Sequence, residues 1–181
     1  EALEAIDKAA EINSESPDIY HRKASVCFMS NRIADAEKFI DMALELKPDF
    51  PAALSTKSEI YQTKGEMDIA KNLALEGLNL NPNLPHLYFT LSKVKKFTSD
   101  DPQLEKMKAL TQNVNQFGQA QGTSLYFSLF KAHEDIKDYD KAFEYLKKGN
   151  DIKWNNVAFD SWQQNEIFAN VKKTWTQDNS N

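Results

Sequence analysis

A single cysteine in 181 residues leaves no internal disulfide to staple the chain, and Cys27 falls on an apolar helical face where a small buried hydrophobe is expected. No stretch reaches the roughly 18 apolar residues of a membrane span, and no charged-then-apolar leader opens the chain. A soluble, intracellular protein is expected, with a cytoplasmic location and no membrane partner. Positive charge is scarce: 22 Lys and Arg against 27 Asp and Glu give a net charge of -5. No basic stripe stands out, which argues against a nucleic-acid partner, whose grip depends on neutralising phosphates. The three histidines, His21, His86 and His133, stand far apart without a partner at i+4 or a neighbouring cysteine, so neither a metal site nor a cofactor is expected. Carboxylate pairs occur at Glu134-Asp135 and Asp138-Asp140, but they flank an inter-helix turn, where acidic groups near a helix start suit the macrodipole. No acid and base pair suggests itself as catalytic, and the chain is not expected to be an enzyme.

What the sequence does contain is a period. Ala2, Ala36 and Ala70 superimpose at a spacing of 34 residues, as do Ile6, Ile40 and Ala74, then Ala9, Ala43 and Gly77, then Ser14, Pro48 and Pro82. Thirty-four residues, roughly, is the length of the tetratricopeptide unit, a pair of antiparallel helices that buries its apolar face only against its neighbours. The spacing predicts an all-α chain: a right-handed tetratricopeptide superhelix of about four to five helix pairs plus a C-terminal capping helix. Residues 1–16 supply the second helix of a truncated unit. Units follow over 17–50 and 51–84, a degenerate one over 85–121, another over 122–154, and a capping or connector helix over 155–176.

Local signals support this division. Ala24, Ala36 and Ala43 are short where two helices approach closely, while Asn31-Arg32 and Gly65 mark turns between the helices of a pair. Pro48 and Pro82 end one unit and begin the next, since proline disfavours helix in the residue before it. In the degenerate unit Leu87, Leu91 and Val94 mark one helical face, Leu104, Met107 and Leu110 another, and Asp101-Pro102 is a capping side chain before a proline at the first helical position. The glycines and glutamines of Gln116 to Gly122 predict a loop. Ala142 stands 72 residues after Ala70, two periods plus four, which predicts a short insertion in the third unit. Phe159, Trp162, Ile167, Phe168, Val171 and Trp175 outline the terminal helix, and Trp154, Trp162 and Trp175 are expected to bury the end of the solenoid.

The resemblance to tetratricopeptide repeats implies that particular first-helix positions face a concave groove. On this chain they give His21 and Ser25, then Glu59 and Gln62, then Phe89, Lys93 and Lys96, then Phe127 and Lys131 as candidate contacts for a protein or peptide ligand. The lysines suit an acidic side chain or a chain terminus, and Phe28, Phe89, Phe97 and Phe127 suit apolar anchors. His86 falls on the same face, whereas His133 falls where an aromatic packs between helices and reads as a core histidine. Asparagine is missing from these positions, which disfavours the two-carboxylate clamp of chaperone-binding repeats.

A narrower resemblance lies in SLYFSLFKAHEDIKDYDKAFEYLKKGNDI, Ser124 to Ile152. Phe127, Leu129, Lys131, Ala132, Glu134, Asp135, Asp138, Tyr139, Ala142, Phe143, Leu146, Gly149 and Asn150 resemble the last repeat of bacterial tetratricopeptide-sulfotransferase proteins. That resemblance implies a non-catalytic scaffold preceding a sulfotransferase domain. The domain's G-x-P-R-S-G-T loop matches nothing between Glu1 and Asn181, and Gly65, Gly77, Gly118, Gly122 and Gly149 are too scattered to form it. The alternative is a free-standing adaptor that assembles other proteins, and a third reading is self-association through the N-terminal half-unit, an artefact if Glu1 is a cut site.

Overall fold

The computed structural model describes residues 15–154, which form eight α-helices, one 3₁₀ turn and no strand. The half-unit expected over 1–16 lies outside them but for its last two residues. The capping helix expected over 155–176 lies outside them entirely, with Trp162 and Trp175.

Proline opens three of the four first helices, at a position whose N–H has no intrahelical acceptor to lose. Helices α1 (Pro17–Met29), α3 (Pro51–Thr63) and α5 (Pro85–Val94) begin 34 residues apart, and α7 (Gln119–Asp135) begins a further 34 on. Between them run the second helices α2 (Ile33–Leu46), α4 (Met67–Leu80), α6 (Pro102–Leu110) and finally α8 (Tyr139–Trp154). The pairs α1/α2, α3/α4 and α7/α8 pack most extensively, while α5 packs against both α4 and α7 and α6 only sparsely against its neighbours. The degenerate unit is therefore two short helices, 10 and 9 residues long, the second loosely held.

Three of the hairpins close by one device. After α1, α3 and α7 the chain turns on a left-handed residue, Asn31 (φ 58), Gly65 (φ 83) and Lys137 (φ 64). Around each, the next N–H reaches back to the helix: Arg32 to Cys27, Glu66 to Tyr61 and Asp138 to His133, at 2.8, 2.9 and 2.9 Å. These are Schellman closures, which satisfy carbonyls that the helix end leaves orphaned. Glycine adopts this conformation freely and asparagine tolerates it. Lys137 has no such ease, and its turn carries no glycine or asparagine cue.

The segment expected as a loop over 116–122 is mostly helix. Only Phe117 and Gly118 separate the 3₁₀ turn (Thr111–Gln116) from α7, because glutamine favours helix and a single glycine inside one is tolerated. Gly122 packs closely there, since a Cβ on it would sit 3.3 Å from both Ile152 Cδ1 and Val114 Cγ2. The four additional residues consequently form an extra turn of α7, which has 17 residues where α1 and α3 have 13. They fall at the end of the span assigned to the third unit, as helix and not as loop.

Two apolar clusters make up the core. One gathers Ala24, Cys27, Ala36, Ile40, Phe50 and Ile60 between the first two pairs, so Cys27 is buried as its position requires. The other surrounds α5, with Leu87, Tyr88, Leu91, Phe97, Leu104, Met107, Leu125 and Leu129. Close contact within α3/α4 is held by Ser58, whose buried hydroxyl donates to the Ala70 carbonyl at 2.6 Å.

The end of α5 departs from expectation. The helix stops at Val94, so Lys96 and Phe97 are not on a first helix. Phe97 turns into the core at 2% exposure instead of facing a groove, and its N–H donates to the Asp135 carboxylate at 3.0 Å. That carboxylate also holds Lys131, so one acidic group of the α7/α8 turn latches the 95–98 segment. Asp101 caps α6 as predicted, accepting from the Gln103 N–H at 3.1 Å. Trp154 is 60% exposed, contrary to the burial expected of it, and Tyr139 and Phe143 of α8 are exposed with it.

Candidate functional site

Equivalent positions of the first helices fall side by side because those helices begin at a constant spacing. His21, Ser55 and Phe89 are each the fifth residue of α1, α3 and α5, and Ser25, Glu59 and Lys93 each the ninth. Phe127 and Lys131 continue the row on α7, one turn later within that helix because of its extra turn.

The first part of the groove is a cavity of about 390 Å³ between α1, α3 and the start of α5, where polar side chains share the lining with Phe28, Met29, Ala52 and Leu84. Nε2 of His21 lies 3.1 Å from Thr56 Oγ1, and its ring meets Phe50 edge-on with centroids 5.1 Å apart. Ser25 donates its hydroxyl to the His21 carbonyl at 3.0 Å. His86 Nε2 is 3.3 Å from Glu59 Oε1. Between these two contacts lies Ser55, 5% exposed, whose hydroxyl has no hydrogen-bond partner.

The second part is an apolar cavity of about 560 Å³ between α5, α7 and α8, lined by Phe89, Phe127, Phe130 and Leu146 with Ser92, Lys93 and Lys131. The Lys93 ammonium stands 4.2 Å from the centre of the Phe89 ring. Lys131 pairs with Asp135 and Glu134, and its hydrogen bond to Asp135, foremost, holds it above the ordinary lysine range.

Seven of the nine candidate residues thus line one or other part: His21, Ser25 and Glu59 the first, Phe89, Lys93, Phe127 and Lys131 the second. Gln62, in the last turn of α3, and exposed Lys96 line neither. Phe28 and His86 join the first part. Thr56, Phe130 and Leu146 were not among the candidates. Phe130 follows Phe127 by three on one helix, a signal open to sequence reading, whereas Leu146 arrives from a second helix by packing alone. Among the described residues no three or more His, Cys, Asp or Glu side chains gather to hold a metal. No helix there is long and apolar enough to cross a membrane.

Burial pushes the His21 imidazole below its ordinary value of 6.5. His133 is shifted the same way by burial, against the opposing pull of Asp138, whose Oδ2 lies 3.2 Å from Nδ1. Its Nε2 is buried without a partner, and Lys108 and Lys141 add to the lowering. The unfolded chain takes up these protons near 6.5 and the folded chain only at lower pH. Stability from these groups is therefore complete above that value and falls as pH drops below it. Thermal melts should show a lower Tm at about pH 5.5 than at about pH 7.5, by on the order of 2–4 °C for each kcal/mol lost, and His133→Phe should remove part of the drop. An equal or higher Tm at the acid end would contradict this.

Stacked helical hairpins with a concave row of first helices define a right-handed solenoid of the tetratricopeptide type. A tetratricopeptide repeat family model matches residues 1–60. The chain is 27% identical over 160 residues to an uncharacterized protein of Aquifex aeolicus (strain VF5), an alignment that takes in 87% of this chain and 20% of that relative. The chain thus spans about a fifth of that protein's length. Among solved structures it is similar to MamA 41-end from Desulfovibrio magneticus RS-1, with a TM-score of 0.54, 16% identity and 86% of each chain covered. It is also similar to YrrB, described as a TPR protein with an unusual peptide-binding site, with a TM-score of 0.51 and 21% identity, over 86% of this chain and 96% of that one. Likeness at these identities establishes the fold. It lends nothing to the sulfotransferase resemblance, which stands on the sequence alone.

Proposed function

We propose that this chain is a non-catalytic interaction module that takes an extended polypeptide segment into its concave groove. The observation that carries this is the first-helix row, where His21, Ser25, Thr56, Glu59 and His86 set hydrogen-bonding groups along one cavity. A peptide backbone, with a donor and an acceptor on nearly every residue, is a ligand that such a row suits. YrrB, a protein of the same fold, is described as having a peptide-binding site, which favours the same use here.

The finer reading, that the module presents a protein substrate to a sulfotransferase domain of the same polypeptide, is supported by the phrase at Ser124–Ile152. A free-standing adaptor requires the groove only. Sulfate transfer by the full-length protein, absent from residues 1–181 alone, would favour the first.

Selection of a displayed library of random peptides on the protein, followed by chemical-shift mapping of a chosen peptide, tests the groove. Shifts should concentrate on α1, α3, α5 and α7. Shifts confined to α2 and α4 would sink the reading.

A further inference from the structure

The two parts of the groove differ in chemistry, and the second is specific enough to name what fits it. Its floor is four apolar side chains, Phe89, Phe127, Phe130 and Leu146. Two ammonium groups stand at its rim, and their circumstances are unlike. Lys131 is neutralised by Asp135 and Glu134. Lys93 rests over the Phe89 ring and, among the described residues, has no carboxylate within ion-pair distance. A chain of net charge -5 thus places an uncompensated cation beside its apolar cavity.

We propose, building on the groove reading above, that this cavity receives a large apolar side chain of a peptide that carries an Asp or Glu within two residues of it. The apolar side chain fills the space between α5, α7 and α8, and the carboxylate pairs with Lys93. A lone ammonium is a point charge suited to a carboxylate, whereas phosphate recognition favours the forked donors of arginine. The reach follows from helix geometry. Phe89 and Lys93 are one turn apart, about 6 Å along α5, and two residues of extended chain cover about that distance. Partial desolvation by the aromatic wall strengthens the pair relative to one in open water.

The test repeats the peptide selection on the intact chain and on two variants, Lys93→Glu and Phe127→Ala. Lys93 is exposed, so its reversal leaves the fold intact, and circular dichroism checks Phe127→Ala. Peptides selected by the unaltered protein should pair a large apolar residue with an acid within two positions. Lys93→Glu should weaken them by about tenfold or more and, on reselection, favour Lys or Arg in place of the acid. Phe127→Ala should lose the apolar preference. Selected peptides that lack an acid, or that bind Lys93→Glu unchanged while Glu59→Ala abolishes binding, would overturn this proposal and leave the groove reading standing. No enrichment of any peptide would overturn both. Laurate occupying the cavity, with no selected peptide competing for it, would assign the site to a fatty acid and overturn the peptide.

Discussion

Replacing Phe97 by alanine should lower the unfolding free energy by about 3–5 kcal/mol. The ring is 2% exposed and belongs to the cluster around α5 with Tyr88, Leu91, Leu104 and Met107, so truncation opens a cavity that the surrounding helices fill only in part. The backbone adds to the cost. Phe97 donates its N–H to Asp135, and without the ring to seat the segment that bond loses its support. Denaturant unfolding followed by circular dichroism measures the loss, with Lys96→Ala expected within about 0.5 kcal/mol of the unaltered chain. The comparison separates two roles for neighbouring residues that a groove-facing helix would have treated alike. A Phe97→Ala protein of unchanged stability but weakened peptide binding would restore Phe97 to the groove.

Gly149→Val should cost about 3 kcal/mol of stability and also damage the apolar cavity. A Cβ at Gly149 would lie 2.6 Å from Cε1 and 2.8 Å from Cδ1 of Phe127, and 3.4 Å from Tyr126 Cβ. Carbon atoms do not approach so closely, so the Phe127 ring must move. Its ring is part of the cavity wall, so the displacement changes the wall from behind without removing any group that faces the ligand. Valine recovers little of glycine's poor helix propensity, and its stiff branch adds bulk at the contact. The equivalent position of the second unit gives the contrast. At Gly77 a Cβ would meet the flexible ends of Leu87 at 3.0 and 3.1 Å, which can yield, and the first unit carries Ala43 there. Unfolding curves and affinity for a selected peptide should fall together for Gly149→Val, and unchanged values of both would show that Phe127 is free to yield.

Much of this architecture was legible in the sequence because its signals are local. Prolines at helix starts, short residues at helix crossings and an Asp-Pro cap each act within a few residues, and the constant spacing of the first helices places His21, Ser25, Glu59, Phe89 and Lys93 along one row. Errors arose where a local cue met a tertiary contact. Gln116 to Gly122 looks like a loop by composition, yet Gly122 fits under Ile152 and Val114 and α7 begins at Gln119. Lys96 and Phe97 fit the groove only if α5 runs on past Val94. The turn at Lys137 repeats the geometry of Gly65 without its residue.

By itself, the sequence determined the class of fold, the first-helix row and most of the residues along it, because periodicity and capping are properties of neighbouring residues in the chain. Tertiary structure alone decided the rest. It turned Phe97 inward through a bond to a carboxylate 38 residues away, brought Leu146 to complete an apolar cavity, and left the Ser55 hydroxyl buried without a protein partner. These outcomes depend on which side chains meet across helices, on burial and on the pairing of charge. No spacing along the chain encodes them, because they are settled only when separate helices pack together.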